Sequence, residues 1–369
     1  MVGAGPGGLA AAAELRRRGV QATVLDQADA IGSSWRGRYD RLRLNTSRFS
    51  SKLPKARYAR GTPVFPSRDQ MVSYLEEYAE RNELEVRLGT RVERIDRNEG
   101  GWVLRTSGGD VHASQVIVAT GHENTPRIPD WPGRDRFRGE LIHAAAYRNP
   151  EPFRGKEILV VGPGCSGIEI AYDLATGGAG PVRLAVRTPP SITLRSSMGI
   201  PGDLPARAML HLPPRIADAQ MKVIDRLDIG DLSEYGLPRP EEGLFARLRR
   251  EGKAPAIVDK EVIEAIKDGR IKIVAGVESF DETGVKLADG TRVEPELVIA
   301  ATGYDRGLES LVGHLDVLDE RGYPRIHGGE EVAPGLRFIG YVPIPGLIGL
   351  MGREARRAAK AIARTRVAA

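Results

Sequence analysis

Apolar residues along this chain come in short bursts separated by glycine, and two stretches share one layout. The first runs Val2, then a glycine-rich loop, then a helix-forming run Ala10–Arg18 stopped by Gly19, then an apolar strand Ala22–Leu25 ending at Asp26. The second runs through the apolar strand Ile158–Val161, a glycine loop, a helical run Ile168–Ala175 and a strand Val182–Val186 ending at Arg187. Four-residue apolar runs bounded by glycine read as buried strands, and the longer alanine- and leucine-rich runs read as helices. Further strands are predicted at Val103–Arg105, Val116–Ala119 and Leu297–Ala301. The last two are each followed at once by Thr-Gly, as Thr120-Gly121 and Thr302-Gly303, so Ala-Thr-Gly occurs once behind each layout. Residues 188–255 match no strand pattern and read as a helical insertion, whereas 271–300 return to short strands separated by Glu282-Thr283-Gly284 and Asp289-Gly290 turns. Pro150-Glu151-Pro152-Phe153 reads as a linker.

Both loops are G-x-G-x-x-G. Gly3, Gly5 and Gly8 form the first, and Gly162, Gly164 and Gly167 form the second. The first glycine permits the tight turn, the second lets a pyrophosphate approach the backbone, and the third lets helix and strand pack closely. The helix N-terminus then offers its N–H groups to phosphate. A bare glycine loop is weak evidence. With the helix, the second strand and a charged residue about 20 positions on, it becomes strong. That charged residue differs between the copies. Asp26 suits a ribose diol, as in FAD, and Arg187 suits a 2′-phosphate, so the second site favours NADP over NAD. An ordinary surface arginine is the other reading of Arg187. Ser166 lies in the second loop as a candidate phosphate donor, and Cys165 beside it reads as a small packed residue. Thr120, Gly121, Thr302 and Gly303 are candidate cofactor contacts. Only Met1 and Val2 precede Gly3, where a strand of about five residues is usual, so a start upstream of Met1 is expected.

Composition narrows this picture. A length of 369 residues suits two α/β domains rather than one core. One cysteine excludes a C-x-x-C redox pair, and six scattered histidines show no zinc-like spacing. A net charge of +5 without a basic, aromatic-interleaved block argues against nucleic acid. No apolar run approaches the ~18–20 residues of a membrane span, and no signal peptide is apparent, so a cytoplasmic location is expected. The basic stretch Gly352–Lys360 reads as the solvated face of a terminal helix, with a membrane-surface helix as the alternative. Oligomeric state is not legible.

Several longer phrases carry a family resemblance: GAGPGGL at the start, GSSWRGRYDRLRLNTS at 32–47, FPSRDQMVSYLEEYA at 65–79, VATGHENTPRIP at 118–129, FRGELIHAAAYRNP at 137–150, LSEYGLPRP at 232–240 and VIAATGY at 298–304. On these the chain resembles the class B flavin-containing monooxygenases, and within them the YUCCA-type indole-3-pyruvate monooxygenases. The resemblance implies two Rossmann-like dinucleotide-binding domains, the second inserted into the first: an FAD part at 1–150, an NADPH part at 151–296, and a return to the FAD domain at 297–369. Phe137, Gly139 and His143 correspond to the family's F-x-G-x-x-x-H motif, with Tyr147 at a variable position. His143 is then a candidate for proton transfer or, alternatively, a hinge or packing residue. Asn45 matches an asparagine near the flavin ring, with an Asx-turn as its alternative role. Trp35 and Arg36 fall in a stretch expected to touch FAD, although core packing explains Trp35 equally well.

The implied chemistry is hydride transfer from NADPH to FAD, reaction with O₂ to a C4a-(hydro)peroxyflavin, and transfer of one oxygen atom to a small organic substrate. The YUCCA-like phrases favour an arylpyruvate such as indole-3-pyruvate, with N- or S-oxygenation left open. One rival is an NADPH-dependent flavin reductase or oxidase that transfers no oxygen to substrate. The other is a nucleotide-binding protein without catalysis.

Overall fold

A computed structural model describes residues 1–252, 254–342 and 346–368. The chain is a mixed α/β protein that divides into two compact units. One contains residues 1–36, 47–125 and 304–369, and the other contains 37–46 and 126–303.

In the first unit, Thr23–Leu25 pairs in parallel with Glu85–Arg87, and Val116–Val118 pairs in parallel with Leu336–Phe338. Val2 bridges the two pairs, bonding in parallel to both Leu25 and Val118. Val2 N–H donates to Ile117 O at 2.9 Å, and Val2 O accepts from Ala119 N–H at 2.8 Å. The following helix, Pro6–Arg16, begins earlier than the apolar run implied. Pro6 at its first position has a preset φ and needs no donor, so the helix starts inside the glycine loop. Its residues 6–15 are all buried, Glu14 included, whose carboxylate is met by Arg17 at 2.7 Å and Arg18 at 2.6 Å. The helix Arg68–Arg81 is started by a reciprocal cap, in which Ser67 and Gln70 each accept from the other's backbone N–H.

The C-terminal helix, Leu347–Ala368, packs against Pro6–Arg16. Ala355, Ala358, Ala359 and Ile362 are buried, while Arg353, Arg356, Arg357 and Lys360 are exposed. The basic stretch is thus the outer face of a packed helix. No helix among the described residues is long and apolar enough to cross a membrane.

The second unit is built on a five-stranded parallel sheet in the order Ile271–Ala275, Val182–Val186, Ile158–Val161, Leu297–Ala300, Glu140–His143. Both faces are covered, which is why its strands read as continuous apolar runs rather than alternating ones. Ile158 and Val160 pack with Ile168, Leu174 and Ile263 beneath the helices Cys165–Thr176 and Lys260–Lys267. Leu159 and Val161 face the other way, onto Phe280, Val285 and Leu287 of a small antiparallel sheet. Each such buried side chain contributes roughly 1.5–3 kcal/mol.

The unit boundaries fall elsewhere than at 150 and 297. Glu140–His143 is an edge strand of the second sheet, registered Leu297↔Glu140 through Ala300↔His143. Pro150–Phe153 is no linker: Glu151–Phe153 is one 3₁₀ turn inside the second unit, and the Phe153 ring lies 6.0 Å from that of Tyr147. Leu297–Ala300 belongs to this sheet too, not to the returning tail. Neither an edge strand nor its pairing partner has a local signature, so the turn-like Pro-Glu-Pro drew the boundary too late.

Residues 188–255 are only partly helical. Strand Ile192–Leu194 pairs with Ala256–Val258, and a two-residue hairpin joins Ser196–Ser197 to Ile200–Pro201. Helices Asp203–Met209, Pro214–Asp228 and Leu244–Glu251 complete the insertion. Partial burial pushes the Asp225 carboxyl up to about 7, opposed by Arg239. The folded state therefore keeps a proton that the unfolded chain releases, and stability falls as pH rises through this interval. Asp225→Asn, which mimics the neutral acid, is expected to raise the melting temperature at about pH 8 and to change it little near pH 4. Thermal melts at both pH values check this, and an equal shift at both would contradict it.

Candidate functional site

The glycine loops are where sequence and geometry meet most directly. Gly3 has φ +105°, and a Cβ there would lie 2.6 Å from Ala119 O. A Cβ on Gly8 would lie 1.9 Å from Gly3 O, whereas one on Gly5 would meet nothing within 4 Å. The second loop repeats this. Gly162 has φ +112° with Ala301 O at 2.5 Å from its would-be Cβ, Gly167 meets Gly162 O at 1.9 Å, and Gly164 meets nothing. In each loop the outer glycines serve internal packing and the middle one faces open space. No side chain caps either helix, since Gly5 and Gly164 are themselves the N-caps. Both helices thus begin on a glycine with no capping side-chain bond from that residue, as suits an anion-binding cradle.

The same geometry explains the Ala-Thr-Gly repeat. Ala119 and Ala301 supply the carbonyls that press on the first glycine of each loop. Gly121 and Gly303 both have φ +85°, so the two chains turn alike. Thr120 Oγ1 lies 2.8 Å from the hydroxyl of buried Tyr341, and Thr302 Oγ1 donates to Arg127 O.

The charged strand ends differ as the sequence indicates. Asp26 sits at the mouth of the first loop, its carboxylate accepting from Ala4 N–H at 2.6 Å and Ala28 N–H at 2.9 Å. Arg187 is exposed at the end of Val182–Val186, and Gly276 packs against its backbone; no ion pair with it is found among the described residues. Ser166 is half-buried in the first turn of the second helix. Cys165 Sγ accepts from Ile257 N–H at 3.3 Å and reaches Pro255 O at 3.5 Å, which is a packing role. Trp35 is half-buried in the one-turn helix Ser33–Arg36, and the exposed Arg36 guanidinium pairs with Glu76.

The F-x-G-x-x-x-H residues all lie in the second unit. Phe137 packs edge-on against Phe280, with centroids 5.4 Å apart. Gly139 leaves room for that ring, because a Cβ would sit 2.4 Å from Phe137 Cζ. His143 ends the edge strand with both ring nitrogens engaged: Nδ1 accepts from Ala145 N–H at 3.0 Å, so Nε2 carries the proton and donates to Gly303 O at 3.0 Å. Burial holds its pKa below the usual histidine value. The motif thus buttresses the edge strand and the second Ala-Thr-Gly turn with a neutral imidazole.

Asn45 is half-buried in the 37–46 segment of the second unit. A buried ionic cluster that the sequence reading missed fastens this segment. Arg195, 3% exposed, donates to Leu44 O at 3.4 Å and Arg43 O at 3.3 Å. Its Nη2 meets Glu169 Oε1 at 2.6 Å, and its Nε lies 3.2 Å from Asp259 Oδ1. Arg41 Nε lies 3.6 Å from Glu169 Oε2 and its guanidinium sits 4.4 Å over the Tyr172 ring. Burial pushes the Glu169 carboxyl up, against the pull of Arg195 and Arg41. The one signal in the sequence was an acid amid the apolar residues of GIEIAYDLA.

Residues 1–199 match the family model described as pyridine nucleotide-disulphide oxidoreductase. The chain is 38% identical over 315 residues to the indole-3-pyruvate monooxygenase YUCCA1 of Oryza sativa subsp. japonica, covering 84% of this chain and 77% of the relative. It is 35% identical to the indole-3-pyruvate monooxygenase YUCCA8 of Oryza sativa subsp. indica, covering 98% and 90%. The chain belongs to the YUCCA group of flavin-containing monooxygenases. A solved flavin-containing monooxygenase from Stenotrophomonas maltophilia, 24% identical, shares the fold over 100% of this chain and 98% of that one, with a TM-score of 0.75. The sequence holds one cysteine, Cys165, and so no cysteine pair.

The loops separate fold from cofactor. Gly5→Ala and Gly164→Ala are expected to fold with near-parental melting temperatures and to lose about tenfold or more in binding of flavin and of NADP respectively, because the added methyl enters the phosphate space. Gly8→Ala and Gly167→Ala are expected to lower stability sharply by backbone collision. Melting curves with flavin absorbance and NADP⁺ titration distinguish the two classes.

Proposed function

We propose that this NADPH-dependent flavoprotein monooxygenase acts on an arylpyruvate, indole-3-pyruvate being the substrate named for its relatives. The observation that carries the cofactor assignment is the pair of like-built cradles ending in opposite charges, Asp26 and Arg187. In this reading the two units are Rossmann-like dinucleotide-binding domains, the second inserted into the first. Gly3, Gly5, Gly8 and Asp26 hold FAD, with Trp35, Arg36, Thr120 and Gly121 at its periphery. Gly162, Gly164, Ser166, Gly167 and Arg187 hold NADPH, with Thr302 and Gly303 completing that loop.

When bound, FAD and NADPH would supply the electrons that split O₂, one atom going to substrate and the other to water. For an arylpyruvate the balance is R–CO–COO⁻ + O₂ + NADPH + H⁺ giving R–COO⁻ + CO₂ + H₂O + NADP⁺. What remains for the side chains is binding, orientation and exclusion of water. Asn45 would hydrogen-bond the flavin or the reacting oxygen, and His143 acts by shaping the turn at Gly303 rather than by moving a proton.

Two measurements test this. The purified protein is expected to be yellow, to consume NADPH in the presence of O₂, and to convert indole-3-pyruvate to the acid one carbon shorter, read by mass spectrometry. NADPH consumption matched by hydrogen peroxide, with no oxygenated product, would instead establish an oxidase. Arg187→Ala is expected to weaken NADPH by about tenfold or more, the ~1.5–3 kcal/mol of a charge-assisted hydrogen bond, with NADH hardly affected. Equal losses for the two cofactors would refute the 2′-phosphate role.

A further inference from the structure

The insertion of the second unit carries a surface that its nucleotide loop does not use. Helix Pro214–Asp228 has three stripes. Ala217 is buried and Met221 and Ile224 are half-buried on its inner side. Ile216, Val223 and Leu227, spaced seven and four residues apart, fall within about 40° of one another at 100° per residue, on the outer side. They are 50%, 61% and 82% exposed. Arg215, Lys222 and Arg226 form a second exposed stripe directly beside them. The hairpin tip adds Met198 at 90% and Ile200 at 56% exposure. Ser197 Oγ, donating to Asp228 Oδ1 at 2.8 Å, ties this hairpin to the helix end that carries Leu227.

None of the four acids of this stretch is exposed: one is buried and three are half-buried. Asp203 is buried. Asp218 accepts from Phe245 N–H at 2.7 Å and Ala246 N–H at 3.2 Å. Asp225 is partly buried with its carboxyl pushed up, and Asp228 holds Ser197. Exposed charge between residues 196 and 228 is therefore basic only: Arg207, Arg215, Lys222 and Arg226.

We propose that this apolar and basic face docks the protein on an anionic lipid surface, with Val223, Leu227 and Met198 entering the headgroup boundary and Arg215, Lys222 and Arg226 meeting lipid phosphates. An apolar stripe flanked by basic residues on a helix too polar to span is the pattern of interfacial helices. A second copy of the chain is the poorer occupant. In a two-fold contact the same patch meets itself, so the basic stripes of both copies would be brought together without an exposed acid between residues 196 and 228 to answer them. An anionic bilayer accepts both stripes at once.

The test is co-sedimentation of the flavin-loaded full chain with vesicles of equimolar phosphatidylcholine and phosphatidylglycerol, against phosphatidylcholine alone. Binding is expected to the mixed vesicles only, and to weaken as salt rises. The double variant Val223→Glu, Leu227→Glu is expected to lower it by about tenfold or more, since it removes the inserted side chains and adds repelling charge. The triple variant Arg215→Ala, Lys222→Ala, Arg226→Ala is expected to remove the salt-sensitive part. Flavin absorbance and melting temperature report whether both variants stay folded, and all altered positions are exposed. The proposal is overturned by absence of binding to the mixed vesicles, or by equal binding of parent and folded variants. It is also overturned by a dimer in light scattering that the double variant converts to monomer, which would put a second copy on this face.

Discussion

A carbonyl oxygen pressed against a glycine Cα is the constraint on which both glycine loops depend. The loop leaves its strand abruptly only because Gly3 and Gly162 take a positive φ that other residues resist. It stays compact only because Gly8 and Gly167 let the helix close on the carbonyls of Gly3 and Gly162. Ala119 and Ala301 complete each clamp from strands far along the chain. Their own amides are fixed in the same way, Ala119 N–H on Val2 O and Ala301 N–H on Val161 O, both at 2.8 Å. Sheet register and loop shape are thus one decision. A slip of the neighbouring strand would carry the alanine carbonyl away from its glycine.

In the first unit Val2 leads into Gly3 with its N–H on Ile117 O, its own carbonyl accepting from Ala119 N–H, and bridges to Leu25 and Val118. The second unit reaches the same loop geometry with a full four-residue strand. In both loops the same close backbone contacts at the outer glycines define the cradle.

The buried ionic cluster around Arg195 follows a different logic. Removing Arg195 and Glu169 from water is costly, and their mutual attraction alone need not repay it. What the cluster supplies is direction. Its donors end on the backbone carbonyls of Arg43 and Leu44, so the segment carrying Asn45 is fixed to the second unit although the first unit claims the chain on either side of it. Lone apolar contacts would bury this segment without fixing its rotation. Fixed hydrogen-bond geometry sets it.

The sequence by itself determined what is local. The two G-x-G-x-x-G loops, their helices and the contrast between Asp26 and Arg187 all lie within some thirty residues, where torsional preference and helix–strand adjacency suffice. The Ala-Thr-Gly repeat was visible, but its purpose was not. Only the tertiary structure decided which carbonyl meets which glycine, that Glu140–His143 edges the second sheet, that His143 grips Gly303 across 160 positions, and that Arg195 holds Leu44 across 151. Such contacts have no period or spacing to announce them. They are fixed when strands from distant parts of the chain take their places in one sheet, and the polar groups buried there must then find partners wherever the fold has brought them.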